Sequence, residues 1–312
     1  MKPEIILVEP MMARVEAALD AAYAVHRLSS APDWAALLAE VGPRIRAVVT
    51  GGATGVSNAV MDACPNLGIV AINGVGTDAV DLNYAANRGI RVTNTPGVLT
   101  EDVADLALGL IIAVSRRLIV GDRFVRAGQW PAAKLPLARK VTGKRLGIFG
   151  LGRIGRAIAE RALGFGMSVA YTNRSVCADV PYRCMASLEE LARESDILVV
   201  AASAGPENRN VVGRAVLDAL GPDGILINVA RGSIVDEVEL VAALTEGRLG
   251  GAGLDVFADE PNVPQALWSL DSVVLQPHVA SATVETRTAM ADLVLANLAA
   301  HFAGQPLPTP VV

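Results

Sequence analysis

A chain of 312 residues is longer than one hydrophobic core usually supports, so two domains are expected. Hydrophobic residues make up 52% of it but aromatics only 4%, and the excess of Ala, Val, Leu and Ile suits parallel strands covered by helices on both faces. With 27 basic against 32 acidic residues, a net charge of -5 and no basic block, the chain has nothing to draw it non-specifically to a nucleic-acid backbone or an anionic membrane surface.

The N-terminal MKPEIILVEP carries too short an apolar run for a signal peptide and reads as a first strand ending in a turn. A helix from about Met11, a strand YAVHRL, a helix at 33–40 and strands RAVVT and GIVAIN follow, a repeated βα pattern that predicts a parallel sheet wound with helices on both sides. The last strand of this series, IRVTNT at 90–95, ends at Pro96-Gly97. A long amphipathic helix, expected over 101–120, begins near Thr100-Glu101-Asp102, where acidic residues suit the positive end of the helix dipole. Residues 103–120 are the most apolar long segment, yet they include Asp105, Arg116 and Arg117 and therefore read as a buried helix, not a membrane span.

A poorly periodic stretch at 128–144 leads into a second series of strands: RLGIFG, SVAYTN, ILVVAA, GILINVA, AGLDVF and VVLQPH. Six is the number expected of a dinucleotide-binding sheet. Residues 283–303 are again helical, and the tail GQPLPTPVV, too short for a domain, is expected to return to the first one. The expected division is 1–97 with 286–312, and 98–285, each a doubly wound α/β domain with a parallel sheet. Cys64, Cys177 and Cys184 are odd in number and lack C-x-x-C spacing, which argues against a disulfide framework or a zinc site and for a reducing, cytoplasmic setting.

Gly150-Leu151-Gly152-Arg153-Ile154-Gly155 is G-x-G-x-x-G, directly after a strand and opening a helix. The first glycine permits a tight turn, the second lets backbone approach a pyrophosphate, and the third lets helix and strand pack closely. The helix N-terminus offers N–H donors and partial positive charge to the phosphates. An isolated match could be a glycine-rich turn and nothing more; the strand, helix and following strand favour the ligand. The next strand ends at Asn173, where an NAD-specific fold carries Asp or Glu for the ribose hydroxyls. Here Asn173-Arg174-Ser175 stands instead, and a guanidinium with a neighbouring hydroxyl suits the 2′-phosphate of NADP(H), although a solvated surface arginine is the alternative.

Arg231, Glu260 and His278 each follow a predicted parallel strand, at the edge where open α/β sheets bind ligands. His26 lies inside an early strand and His301 on the last helix, which leaves His278 as the histidine placed for proton transfer.

Residues 145–290 resemble the D-isomer-specific 2-hydroxyacid dehydrogenase family. The resemblance is carried by GLGRIG, NVARGSIVDE at 228–237, GLDVFADEP at 253–261 and QPHVASAT at 276–283, in the family's order. The loop YTNRS further resembles NADPH-dependent glyoxylate and hydroxypyruvate reductases and their hydroxyphenylpyruvate-reducing relatives. The resemblance implies a flavodoxin-like substrate domain, a Rossmann dinucleotide domain and reduction of a small 2-oxo acid to the D-2-hydroxy acid.

It also implies roles. Arg231 would hold the substrate carboxylate and polarise the 2-oxo group, His278 would protonate the developing alkoxide, and Glu260 would orient the imidazole and favour its protonated form. Val229 and Ala230 would line the cofactor, and Asp255 would sit near the nicotinamide carboxamide, with a strand-end cap as the alternative. The loop Asn73-Gly74-Val75-Gly76-Thr77-Asp78 would present main-chain N–H groups of Val75 and Gly76 to the substrate carboxylate. A homodimer built around the helix at 101–120 and the loop carrying Trp130 is the family expectation.

Two other readings stay open: a dinucleotide-sensing corepressor on the same fold, which would need room for a partner-recruiting segment, and an NAD-dependent D-2-hydroxyacid or phosphoglycerate dehydrogenase. Formate dehydrogenase is disfavoured, because Glu260 stands where those enzymes have glutamine.

Overall fold

The computed structural model describes residues 2–312. Residues up to Leu99, together with Ala282–Val312, form one compact unit, and Thr100–Ser281 form a second.

In the first unit five parallel strands, β1 (Glu4–Leu7), β2 (Ala24–Arg27), β3 (Ile45–Gly51), β4 (Ile69–Asn73) and β5 (Arg91–Thr93), lie in the order β2-β1-β3-β4-β5. This is the flavodoxin-like order. Successive side chains of a strand point to opposite faces, so Ile6, Val48, Val70 and Val92 meet Leu38, Met61 and Cys64 on one side of the sheet. Ile5, Leu7, Val49 and Ala71 meet Val15, Leu19, Ala291, Val294 and Leu298 on the other, the last three from the helix Val284–Phe302. The C-terminal tail pairs with β5: Val311 N–H donates to Val92 O at 2.7 Å, and Thr93 and Pro310 form an antiparallel bridge. It thereby covers a strand edge that would otherwise be open.

The second unit has seven parallel strands: β6 (Arg145–Phe149), β7 (Ser168–Thr172), β8 (Arg183–Cys184), β9 (Ile197–Val200), β10 (Ile225–Asn228), β11 (Gly251–Leu254) and β12 (Val273–Leu275). Their order is β12-β11-β10-β9-β6-β7-β8. The chain builds outward from β6 through β7 to β8, then returns to the other side of β6 at β9, so the crevice for a ligand opens at the carboxyl end of β6. The sequence led us to expect six strands; β8 is additional, and two residues at the sheet edge have no periodicity to read.

The long helix expected over 101–120 is instead two. The first, Thr100–Ser115, buries Val103, Ala104, Ala107, Leu108, Leu110 and Ile111 and is tied to the helix Arg153–Leu163 by Arg161, which donates to Glu101 and Asp105 at 2.6 Å each. The chain then turns through Arg117 in the left-handed conformation, φ 53°, and the second helix, Leu118–Arg126, buries none of its residues. A periodic apolar pattern continued across a break in the backbone because both halves are rich in Leu, Ile and Val. Among the described residues no helix is long and apolar enough to cross a membrane.

Candidate active site

The carboxyl ends of β10, β11 and β12, neighbours in the sheet, carry Arg231, Glu260 and His278. At the end of β10 the buried Asn228 clasps the following turn, its Nδ2 donating to Arg231 O at 3.0 Å and its Oδ1 accepting from Ala230 N–H at 3.1 Å. The half-buried Arg231 guanidinium donates to Ala230 O at 2.8 Å. Gly232 comes next because the turn lies directly against the loop after β11: a Cβ there would fall 1.9 Å from the Phe257 carbonyl carbon. That contact brings the arginine-bearing turn and the glutamate-bearing loop together.

Glu260 is fixed from its own loop, Oε1 accepting from Phe257 N–H at 3.0 Å, and its Oε2 lies 2.7 Å from His278 Nδ1. Burial raises the Glu260 carboxyl, but the hydrogen bond from His278, that from Phe257 and the charges of His278 and Arg231 outweigh it and hold the group below its ordinary range. An ionised carboxylate only accepts, so Nδ1 carries the proton between them. Nε2 is then the nitrogen that can exchange a proton with a ligand. The two side chains are 33% and 28% exposed, so the pair is reachable from solvent.

His278 has φ 54°, a left-handed conformation uncommon for a residue with a Cβ. The reason is Asp255. Its carbonyl accepts from His278 N–H at 2.8 Å, and its carboxylate accepts from Val279 N–H at 2.8 Å and Ala280 N–H at 2.9 Å, so three consecutive amides wrap one residue. Burial pushes the Asp255 carboxyl above its ordinary value against those two hydrogen bonds. Asp255 is fully buried, and both its carboxylate oxygens accept hydrogen bonds from the His278 loop, as a strand-end brace does.

The glycine loop follows β6. Gly150 has φ 96°, and a Cβ on it would lie 2.4 Å from Ala202 Cα; one on Gly155 would lie 2.2 Å from Gly150 O. At Gly152, by contrast, nothing stands within 4 Å of a Cβ position, and the helix Arg153–Leu163 that it caps has no side-chain cap on its N–H groups. Open space at the middle glycine and unclaimed donors beside it fit the pyrophosphate of a dinucleotide. Around this turn Leu151 is buried, Ile154 half-buried and Arg153 exposed, and Val229 is buried at the end of β10.

Beyond β7, Asn173, Arg174 and Ser175 are all exposed. Their loop is anchored at two points. The buried Tyr171 hydroxyl accepts from Cys177 N–H at 2.8 Å, and Arg156 grips Asp179 through Nη1 and Nη2 at 2.8 and 2.9 Å. Arg174 Nη1 lies 3.6 Å from Glu207 Oε1, with the side chains 78% and 50% exposed. Sequence reading missed Glu207; its position just past β9, beside β6, is the signal that could have drawn attention to it.

In the first unit the loop after β4 holds Val75, 37% exposed, whose carbonyl accepts from Asn94 Nδ2 at 2.8 Å. Trp130 is 69% exposed within the stretch 128–144, which has neither helix nor strand.

Residues 108–280 match the family model described as D-isomer specific 2-hydroxyacid dehydrogenase, NAD binding domain. The chain is 52% identical over 308 residues to hydroxyphenylpyruvate reductase of Plectranthus scutellarioides, covering 99% of this chain and 98% of that protein. It is 47% identical over 311 residues to 2-ketogluconate reductase of Gluconobacter oxydans, covering 100% and 99%. Its fold superposes on the NADPH-dependent glyoxylate/hydroxypyruvate reductase of Sinorhizobium meliloti, solved in complex with NADP and malonate, with a TM-score of 0.93 at 42% identity, covering 100% of this chain and 97% of that one. With the glycine loop, the charged strand ends and these matches together, the chain belongs to the D-isomer specific 2-hydroxyacid dehydrogenase family.

Proposed function

We propose that this protein reduces a small 2-oxo acid to the D-2-hydroxy acid with NADPH. The observation that carries the reading is the His278–Glu260 pair, 2.7 Å apart and open to solvent, at strand ends adjacent to Arg231 in the unit that bears the glycine loop. The bound nicotinamide supplies the hydride. Arg231 binds the substrate carboxylate and polarises the 2-oxo group as negative charge grows on its oxygen. His278 delivers a proton to that oxygen from Nε2, and in the reverse direction removes it. Glu260 keeps Nδ1 protonated and the ring aimed, and its negative charge offsets the imidazolium. In the first unit, Val75 and Gly76 offer main-chain N–H groups suited to a substrate carboxylate.

Gly150, Gly152 and Gly155, with Leu151, Arg153 and Ile154, hold the pyrophosphate, and Val229 and Ala230 border the cofactor. The choice of NADP(H) rests on Asn173 in place of an acid and on the exposed Arg174 and Ser175 beside it. A homodimer is supported by exposed apolar side chains on one stretch, Leu118, Ile119 and Val125 of the helix Leu118–Arg126 with Trp130 and Leu137 after it. The unpaired state of Cys64, Cys177 and Cys184 supports a cytoplasmic setting.

A panel of glyoxylate, hydroxypyruvate and 2-ketogluconate, each with NADPH and with NADH, tests the reading. Turnover of at least one acid with NADPH in preference to NADH is expected. Inertness toward every 2-oxo acid with both cofactors would refute it.

A further inference from the structure

Two main-chain donors can grip a carboxylate only if their peptide planes are held, and in the first unit both planes are held by the same short segment. The Gly74 carbonyl accepts from Thr95 N–H at 2.8 Å, and the Val75 carbonyl accepts from Asn94 Nδ2 at 2.8 Å. In a trans peptide the carbonyl and the following N–H point in opposite directions. Tying the Gly74 carbonyl therefore aims the Val75 N–H, and tying the Val75 carbonyl aims the Gly76 N–H.

Asn94 is itself braced by the C-terminal tail. Its carbonyl accepts from Thr309 Oγ1 at 2.6 Å and its N–H donates to Thr309 O at 3.4 Å. Thr309 in turn is gripped on two sides by Asn297, whose Nδ2 donates to Thr309 Oγ1 at 2.8 Å and whose Oδ1 accepts from Thr309 N–H at 3.2 Å. Asn297 is 1% exposed on the helix Val284–Phe302. A polar chain thus runs from a buried helix position through the tail to the loop after β4. A buried asparagine is costly unless its groups are bonded, and here they are spent on one threonine of the tail and on Leu293 O.

We infer that Asn94 is a positioning residue for substrate binding, setting the direction of the Gly76 N–H, and that the Asn297–Thr309 pair is its support. The inference rests on the proposed role of Val75 and Gly76 as carboxylate contacts. Because the carboxylate is common to all 2-oxo acids, Asn94 governs affinity for the whole class and leaves choice among its members to other groups.

The test uses full-length Asn94→Ala, Asn94→Asp, Thr309→Val and Gly76→Pro, with KM and kcat for glyoxylate and hydroxypyruvate, KM for NADPH, and the melting temperature. Asn94→Asp keeps the shape but cannot donate to the Val75 carbonyl, so it reports on the hydrogen bond even if the alanine variant folds poorly. Both Asn94 variants should raise KM for the two acids alike, about tenfold, the low end for one lost hydrogen bond to a charged group. Thr309→Val should do so by a smaller factor, and KM for NADPH should stay within about twofold throughout. Gly76→Pro deletes the donor itself. If it raises KM for the acids while both Asn94 variants leave it alone, the positioning role is overturned and the carboxylate reading stands. If Gly76→Pro leaves KM for the acids unchanged, the carboxylate reading falls and the inference with it. An Asn94 effect of equal size on KM for NADPH would show a general structural role and would also overturn the inference.

Discussion

Removing the proposed phosphate grip, Arg174→Ala with Ser175→Ala, should lower kcat/KM for NADPH by about 5- to 30-fold and leave NADH nearly untouched. The magnitude follows from the arrangement at the end of β7. A hydrogen bond from a guanidinium to a phosphate contributes roughly 1.5–3 kcal/mol. Arg174 already faces Glu207 at 3.6 Å, and an exposed pair of this kind is worth about 0–1 kcal/mol. The exchange of Glu207 for the 2′-phosphate therefore leaves a net of about 0.5–3 kcal/mol, with about 1–2 kcal/mol as its middle range, where 1.4 kcal/mol is about a factor of ten. The assay is initial-rate reduction of glyoxylate with each cofactor at low and raised ionic strength. Salt should erode the wild-type preference, since Arg174 is 78% exposed and ion pairs between solvent-facing charges weaken as ionic strength rises. An equal loss with both cofactors, or none with either, would refute the reasoning, because it would mean that Arg174 does not meet the phosphate.

His278→Ala should reduce kcat by about 10²–10⁴-fold with little change in cofactor affinity, measured by steady-state rates beside NADPH titration. The lowered carboxyl of Glu260 sets a pH window for stability. The hydrogen-bonded Glu260 carboxylate contributes fully above the ordinary glutamate value of 4.5, and the contribution fades as pH falls through the lower value held in the fold. Thermal melts of wild type and Glu260→Gln should accordingly differ most at neutral pH and converge in acid; a constant difference across that range would contradict the assignment. Gly232→Ala should cost several kcal/mol, because its Cβ would fall 1.9 Å from the Phe257 carbonyl carbon and push apart the loops bearing Arg231 and Glu260. Denaturant unfolding gives the cost, and near-wild-type stability would show that the loops can part.

The parallel sheets were legible because their strands are apolar on both faces and stand as runs of Val, Ile, Leu and Ala between turns, as in ILVV of β9 and ILIN of β10. The positions of Arg231, Glu260 and His278 were legible for the same reason, since each directly or shortly follows such a run, and strand ends share one edge of a parallel sheet. Local pattern could not show where the helix after Thr100 breaks, because Arg117 in the left-handed conformation has no glycine or proline to announce it. Nor could it show Asp255 turned inward under the His278 loop, Glu207 facing Arg174, or Asn94 holding Val75. Those contacts join residues far apart in sequence through side-chain geometry, and a single chain carries no signal of it until the strands are paired.

The most direct measurement is the product. Purified protein incubated with hydroxypyruvate and NADPH should oxidise one NADPH for each molecule of D-glycerate formed, and His278→Ala, correctly folded, should nearly abolish both. Formation of L-glycerate, or no consumption of reduced cofactor with any 2-oxo acid, would contradict the account.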